Sequence, residues 1–315
     1  MLGSVVSARA PLADVLDQAA LLEALGYDSV WVPEAAGRDA IVLCAVIGQR
    51  TERITVASGV ASLALRDPIL LGMQAATAAE ACGGRFVLGV GVGHPETAAG
   101  GRTVRVPPTA PELAAAVRAV RVMLDRSAPP ADRLHGVHLA ARPPIVLAAL
   151  SKELAAVAGE CADGMILNWV TPERAATLTA TARAAAGRAG RDPAALAVAA
   201  YVPVSVTEQA DAARSQLARQ VVAYGGLRAY RRSFENCGFR PGTDFGQDPA
   251  AVSADMLDRL AGIGTAARAH AVVADFRAAG VDLPVLAPVL TGAADGWASL
   301  VGTWQALAPP GVPDA

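Results

Sequence analysis

Few residues in this chain could do chemistry, and they are widely separated. Glu34 and His94 are titratable groups that directly follow short apolar runs at 28–32 and 86–90. A histidine titrates nearest neutrality and suits proton transfer, and a carboxylate can serve as its partner. Each also has a plainer reading, His94 as a hydrogen-bonded loop residue and Glu34 as a salt-bridged carboxylate. Ser151-Lys152 and Thr171-Pro172 follow the apolar runs 145–148 and 164–167, and each starts a helix. Free N–H groups at two adjacent helix N-termini would make an anion cradle, with Lys152 as a cation beside it; alternatively both are ordinary caps. Gly89-Val90-Gly91-Val92-Gly93 only superficially resembles a phosphate loop. Its glycines alternate inside a strand, where they leave room for a flat ring or a neighbouring strand. Trp169 either stacks on a ligand or packs internally. His135 and His138 have metal-like spacing but lack a third ligand nearby, so no metal is expected.

The elements that must position these residues repeat one grammar. Helix, glycine stop, buried apolar strand and loop follow each other along the 315 residues. The spacing predicts strands at 2–7, 28–32, 54–57, 86–90, 145–148, 164–167, 196–206 and 283–287. Helices intervene at 11–25, 38–50, 68–82, 111–124, 152–161, from 172, from 208 and at 297–307. A helix pair is expected at 256–279. Alternating βα units with near-continuous apolar strands imply a parallel sheet. Eight units imply a single-domain α/β (β/α)8 TIM barrel over 1–315, with insertions after strands four and seven. The irregular stretches are 98–144, including a small hairpin around 135–138, and 230–255. The alternative is an open doubly wound sheet, which would normally carry its glycine fingerprint after strand one. In a barrel, chemistry gathers on the loops that follow the strands.

Composition narrows the function classes. Hydrophobic residues make up 53% of the chain, which implies a large core, and the net charge of −2 argues against a nucleic-acid partner. No apolar run reaches membrane-spanning length and the N-terminus has no signal-like segment, so a cytoplasmic protein is expected. Cys44, Cys82, Cys161 and Cys237 are far apart and read as reduced thiols.

Several segments together resemble the luciferase-like monooxygenase superfamily. They are Leu25-Gly26-Tyr27-Asp28-Ser29-Val30-Trp31-Val32-Pro33-Glu34, Arg50-Thr51-Glu52-Arg53-Ile54, and the run from Gly83 to Gly93. Ala162-Asp163-Gly164-Met165-Ile166-Leu167-Asn168-Trp169 and Ala279-Gly280-Val281-Asp282-Leu283-Pro284 continue the likeness. The stretch 148–169 is most similar to the branch that uses the deazaflavin coenzyme F420, with FMN as the alternative cofactor.

The resemblance implies a barrel with the cofactor ring in its mouth and a non-proline cis peptide at Gly59-Val60. It assigns cofactor contacts to Gly59, Val60, Ala61 and Gly93, to Ala149, Leu150, Ser151 and Lys152, and to Asn168, Trp169 and Thr171. The implied activity is hydride transfer from the reduced coenzyme to a C=C or C=N bond of a small-molecule or peptide substrate. Tyr224, Tyr230 and Phe234 would shape the substrate lid. Many relatives carry a histidine where this chain has Ala35, which leaves the proton source open between His94, Glu34 and water. The resemblance also implies a homodimer, with 40–47 contributing. An FMN-dependent monooxygenase and a non-catalytic ligand-binding barrel are the competing readings.

Overall fold

The computed structural model describes residues 1–7, 9–34, 37–93, 108–292 and 296–310. His94 lies outside these, as does the Gly/Pro-rich stretch up to residue 107.

The first half of the chain contains β1 (Gly3–Val5), α1 (Leu12–Ala24), β2 (Ser29–Val32), α2 (Ala40–Arg50), β3 (Thr55–Ser58), β4 (Ala61–Ser62), α3 (Pro68–Ala81), β5 (Phe86–Gly91) and α4 (Ala110–Leu124). Next come β6 (Ile145–Ala148), α5 (Lys152–Cys161), β7 (Gly164–Leu167), α6 (Pro172–Arg188), β8 (Ala197–Val206), α7 (Ala210–Gly225) and α8 (Arg228–Asn236). The chain ends with α9 (Ala254–Leu260), β9 (Gly262–Gly264), α10 (Ala266–Ala278), β10 (Leu283–Pro288) and α11 (Gly296–Ala306).

All strand pairs are parallel. The order β1–β2–β3–β5–β6–β7–β8 is closed by β10, which pairs with both β8 and β1. The result is the expected (β/α)8 barrel. Two short strands decorate its carboxyl end: β4 pairs with the end of β5, and β9 pairs with the end of β8.

Side-chain period decides what fills the cylinder, because alternate residues of a strand face opposite sides. Trp31, Ala57, Val146, Ile166, Ala199, Tyr201 and Val285 face inward and form a distinct inner cluster. Val30, Val32, Val56, Leu147, Val198 and Val202 face outward, in the larger layer between strands and helices. Each fully buried Val, Leu or Phe there contributes about 1.5–3 kcal/mol. Helix starts follow local chemistry. The Asp39 carboxylate accepts from Ile41 N and Val42 N, and Thr109 and Glu112 form a reciprocal capping box on α4. At the other end of the chain, Trp304 Nε1 donates to Ser4 Oγ at 2.7 Å and the Tyr27 hydroxyl donates to the Trp304 carbonyl at 2.9 Å, tying α11 to the first βα unit.

Three expected elements take other forms. Residues 135–138 make bends without a strand pair, because His135, Gly136 and His138 are exposed and have no sheet to join. The expected irregular stretch from 230 starts inside a regular helix, α8, whose buried face is Tyr230, Ser233 and Phe234. The helix pair over 256–279 is split by β9, where Gly262 lets Ala269 of α10 approach; a Cβ at Gly262 would stand 2.7 Å from the Ala269 Cα.

Candidate active site at the carboxyl end of the barrel

A cavity of about 1590 Å3 opens at the carboxyl ends of the strands. Every barrel strand or the loop that directly follows it contributes, from Val5 of β1 and Ser7 after it round to Ala287 and Pro288 of β10.

One wall is the turn between β3 and β4. The Gly59–Val60 peptide is cis, and both residues border the cavity. This turn leans over β5, whose glycines make the room. A Cβ on Gly89 would lie 1.9 Å from the Ser58 carbonyl oxygen, and one on Gly91 would lie 2.7 Å from Val60 Cγ2. The alternating glycines therefore serve close backbone approach. Ser58 secures the contact, its hydroxyl donating to Gly89 O and accepting from Gly89 N, both at 2.9 Å. From the other side, the Tyr201 hydroxyl donates to Gly59 O at 2.7 Å. Burial pushes the Tyr201 phenol well above its ordinary value, with Tyr224 and Tyr230 adding to the effect, so it acts as a neutral donor.

Glu34 borders the cavity but is fully engaged as a brace. Its Oε1 accepts from Arg66 Nη2 at 2.6 Å and Ala40 N at 3.2 Å, and its Oε2 accepts from Arg66 Nη1 and Ser62 N, both at 2.7 Å. The five Arg66 donors are also all used, since Nε reaches Gln74, Nη1 also reaches Ser62 O, and Nη2 also reaches Asp39 Oδ2 at 2.7 Å. Glu34 thus ties β2, β4, α2 and α3 together. Both of its oxygens are therefore taken up in bracing the β3–β4 side of the cavity. Burial pushes the Asp39 carboxyl up, but the Val42 N–H and the Arg66 guanidinium outweigh this and hold it below the usual carboxylate range.

The facing wall is aromatic. Trp169, at φ 53°, lies 5.0 Å from Tyr224, and Tyr224 lies 4.7 Å from Tyr230 in a T-shaped pair. Asn168 Nδ2 donates to the Tyr230 hydroxyl oxygen at 3.1 Å.

The structure brings Gly59, Val60, Gly93, Leu150, Ser151, Asn168, Trp169, Tyr224 and Tyr230 to this cavity together with Glu34. The side chains of Ala61, Ala149, Lys152, Thr171 and Phe234 do not border it. Ala61 and Ala149 have outward strand-end parity and join the outer core. Lys152 is exposed to solvent. Thr171 is buried and caps α6 by accepting from Arg174 N, so the cavity meets the N-terminus of α5 at Ser151 and not that of α6. Phe234 backs Trp169 from outside, with ring centroids 6.2 Å apart.

Sequence reasoning missed Tyr201, Arg66, Asp39, Arg9 and Arg38, all on the cavity. Tyr201 was the one that could have been found. It is the polar-tipped member of the inward set Ala199, Tyr201 and Pro203 on a strand whose other residues, Ser205 apart, are apolar.

The model of the luciferase-like monooxygenase family matches residues 2–283. The chain belongs to that family. Among relatives of this luciferase-like protein is a 5,10-methylenetetrahydromethanopterin reductase of Methanolobus tindarius, 29% identical over 219 residues, or 67% of each chain. A solved F420-dependent secondary alcohol dehydrogenase in complex with an F420–acetone adduct superposes with TM-score 0.79 at 18% identity, covering 100% of this chain and 99% of that one. The oxygenating constituent of 3,6-diketocamphane monooxygenase from Pseudomonas putida, in complex with FMN, superposes with TM-score 0.71 at 15% identity, covering 99% and 98%. At these identities the two structures speak to the shared barrel alone.

Proposed function

We propose that this protein is a coenzyme F420-dependent oxidoreductase that reduces a C=C or C=N bond of a small organic substrate. The observation that carries the reading is the cavity itself. Its roughly 1590 Å3 exceeds the ~300–1,000 Å3 typical of a site for one drug-sized ligand, which suits a cofactor and a substrate held together. At the wall, Gly59, Gly91 and Ala148 carry little or no side chain, and Val60 fills the space over Gly91. The sequence likeness to the 5,10-methylenetetrahydromethanopterin reductase favours F420 over FMN.

When bound in reduced form, coenzyme F420 supplies a hydride from a planar deazaflavin ring. The chain's own residues do the rest. Gly59 and Val60 would face the ring, held by Tyr201 and the β5 glycines. Ser151 and the exposed N–H groups that open α5 would receive the phosphate, where a helix N-terminus favours an anion. Trp169, Tyr224 and Tyr230 would exclude water and flank the substrate, and Asn168 would hold Tyr230 in place. With Glu34 engaged by Arg66, the proton would come from His94 or from water.

We also propose a homodimer. Val42 and Val46 of α2 and Ile69, Leu70 and Met73 of α3 are exposed apolar residues on adjacent helices, with Leu65 beside them at the cavity rim. Sedimentation equilibrium should give twice the chain mass, and the Ile69→Glu/Met73→Glu variant should return the monomer; a monomeric wild type removes this proposal.

Titration with F420 and with FMN tests the cofactor reading. Tight F420 binding, followed by oxidation of its reduced form by an unsaturated substrate, is the expected outcome. FMN binding with oxygen consumption, or binding of neither cofactor, defeats it. No described helix is long and apolar enough to cross a membrane.

A further inference from the structure

The polar groups that border the cavity differ in what they already hold. Arg66 binds both Glu34 and Asp39. The Tyr201 hydroxyl donates to Gly59 O. Tyr230 accepts from Asn168 Nδ2, and Ser151 Oγ accepts from Leu154 N. Tyr224 differs from all of these. Its hydroxyl makes no hydrogen bond with any described residue, and it is not sealed inside the protein.

The ring of Tyr224 is fixed although its tip is open. Tyr224 stands half-buried in the last turn of α7, on the cavity wall. Trp169 lies against the ring at 5.0 Å and Tyr230 at 4.7 Å, while Phe234 backs Trp169 at 6.2 Å. A tyrosine side chain has only two torsions, so packing of this kind leaves its hydroxyl little freedom. With the ring held by its neighbours, the open hydroxyl is presented to the cavity. Tyr224 also adds to the rise of the Tyr201 phenol, an electrostatic influence that needs the two hydroxyls to be near one another. Tyr201 in turn touches Gly59, the wall given above to the coenzyme ring. The open hydroxyl therefore stands close to where the reacting bond of the substrate would lie.

We infer that the Tyr224 hydroxyl donates a hydrogen bond to a carbonyl oxygen of the substrate, and that the bond reduced is a C=C conjugated to that carbonyl. This deepens the proposed function and rests on its placing of the ring. A preorganised neutral donor counts most where negative charge develops, and a conjugate reduction develops it on the carbonyl oxygen. The hydride, drawn from the reduced deazaflavin, forms a C–H bond at the β-carbon of the substrate. The C=C electron pair shifts toward the oxygen to give an enolate, and a proton from His94 or water then adds at the α-carbon and restores the carbonyl. Tyr224 keeps its own hydrogen throughout. An isolated alkene offers no such oxygen, and an imine nitrogen gains more from a full proton than from a shared one.

The experiment uses the full chain saturated with oxidised F420. The probe is the conjugated ketone cyclohexenone, isotopically labelled at its carbonyl carbon. Isotope-edited infrared difference spectra should show the C=O stretch of the bound probe at lower frequency than in buffer. Tyr224→Phe keeps the ring and removes only the donor. It should return the stretch to its value in buffer while F420 affinity stays within about twofold, which guards against a folding defect. With reduced F420, turnover of cyclohexenone should slow by about 10²-fold in that variant, in kcat far more than in KM. Wild type should not reduce cyclohexene. A probe that does not bind wild type, or binds with an unshifted stretch, overturns the inference, as does an equal shift in Tyr224→Phe or equal turnover of cyclohexene. A parallel loss of F420 affinity gives Tyr224 to the coenzyme and also overturns it. If wild type does not bind F420, the reading under Proposed function falls, and the infrared comparison on the coenzyme-free chain decides Tyr224 by itself: a shift lost in the variant upholds the donor, and a shift kept or never seen overturns it.

Discussion

The hydroxyl of Tyr201 reaches across the barrel to the carbonyl of Gly59, 2.7 Å away. β8 and β3 stand four strands apart in the ring, so this hydrogen bond is a strut across its full width. Trp31 meets the Tyr201 ring edge-on at 6.3 Å. Gly59 is hemmed in by both, since a Cβ there would lie 1.9 Å from the hydroxyl and 3.2 Å from Trp31 Cε3. Tyr201→Phe removes only the donor and strands a buried acceptor, which costs about 1–3 kcal/mol. The expected outcome is a lower urea midpoint, faster hydrogen exchange over 59–62 and weaker F420 binding. Unchanged exchange over that segment would show that the strut does not hold the wall.

Arg66 and Glu34 form a pair that should be costly to break from one side. Both side chains are under a tenth exposed, and each bonds the other through two atoms. Leaving one charge alone in such a place costs about 3–5 kcal/mol. Arg66→Met and Glu34→Gln should each lower stability sharply, and the doubly apolar Arg66→Met/Glu34→Met variant should recover much of the loss. Additive losses in that denaturation cycle would mean that the two residues act independently.

Asp163 should contribute to acid denaturation. Burial pushes its carboxyl up, but Arg142, the Ile145 N–H and Arg121 outweigh this and hold it below the usual range. A depressed native value means that the unfolded chain binds the proton more readily. The stabilisation is therefore complete above the unfolded value of about 3.9 and disappears as pH falls through the lower native one. Unfolding midpoints should fall below about pH 4. Asp163→Asn should be less stable at neutrality and show a shallower acid slope. An identical slope would exclude Asp163 from the transition.

His94→Ala should slow turnover with reduced coenzyme by about 10²-fold or more while changing F420 affinity little, as removal of a proton donor does. If turnover is unchanged, the proton comes from water.

Much of the barrel is legible in local sequence because its cues act locally. A run such as 86–91 is buried and extended whatever surrounds it, Asp67-Pro68 starts the helix before it, and Gly83-Gly84 ends that helix. The eightfold repetition of that pattern was enough to place every barrel strand within a few residues. Where local chemistry was ambiguous, the reading failed. Thr171 and Ser151 share the same cap chemistry, and nothing nearby distinguishes the one that meets the cavity from the one that does not. The aromatic stretch from 230 contains a helix because its apolar residues find Trp169 and Tyr224 to pack on.

The sequence by itself determined the alternation of strand and helix, the parity of each strand and the glycines that make β5 thin. These are set by neighbours a few residues away, through backbone sterics and side-chain period. Ring closure decided the rest. Only closure brings Tyr201 to a carbonyl 142 residues earlier, and only the packed loops bring Arg66 to Glu34. Those relationships join residues from different βα units, and no spacing along the chain encodes them.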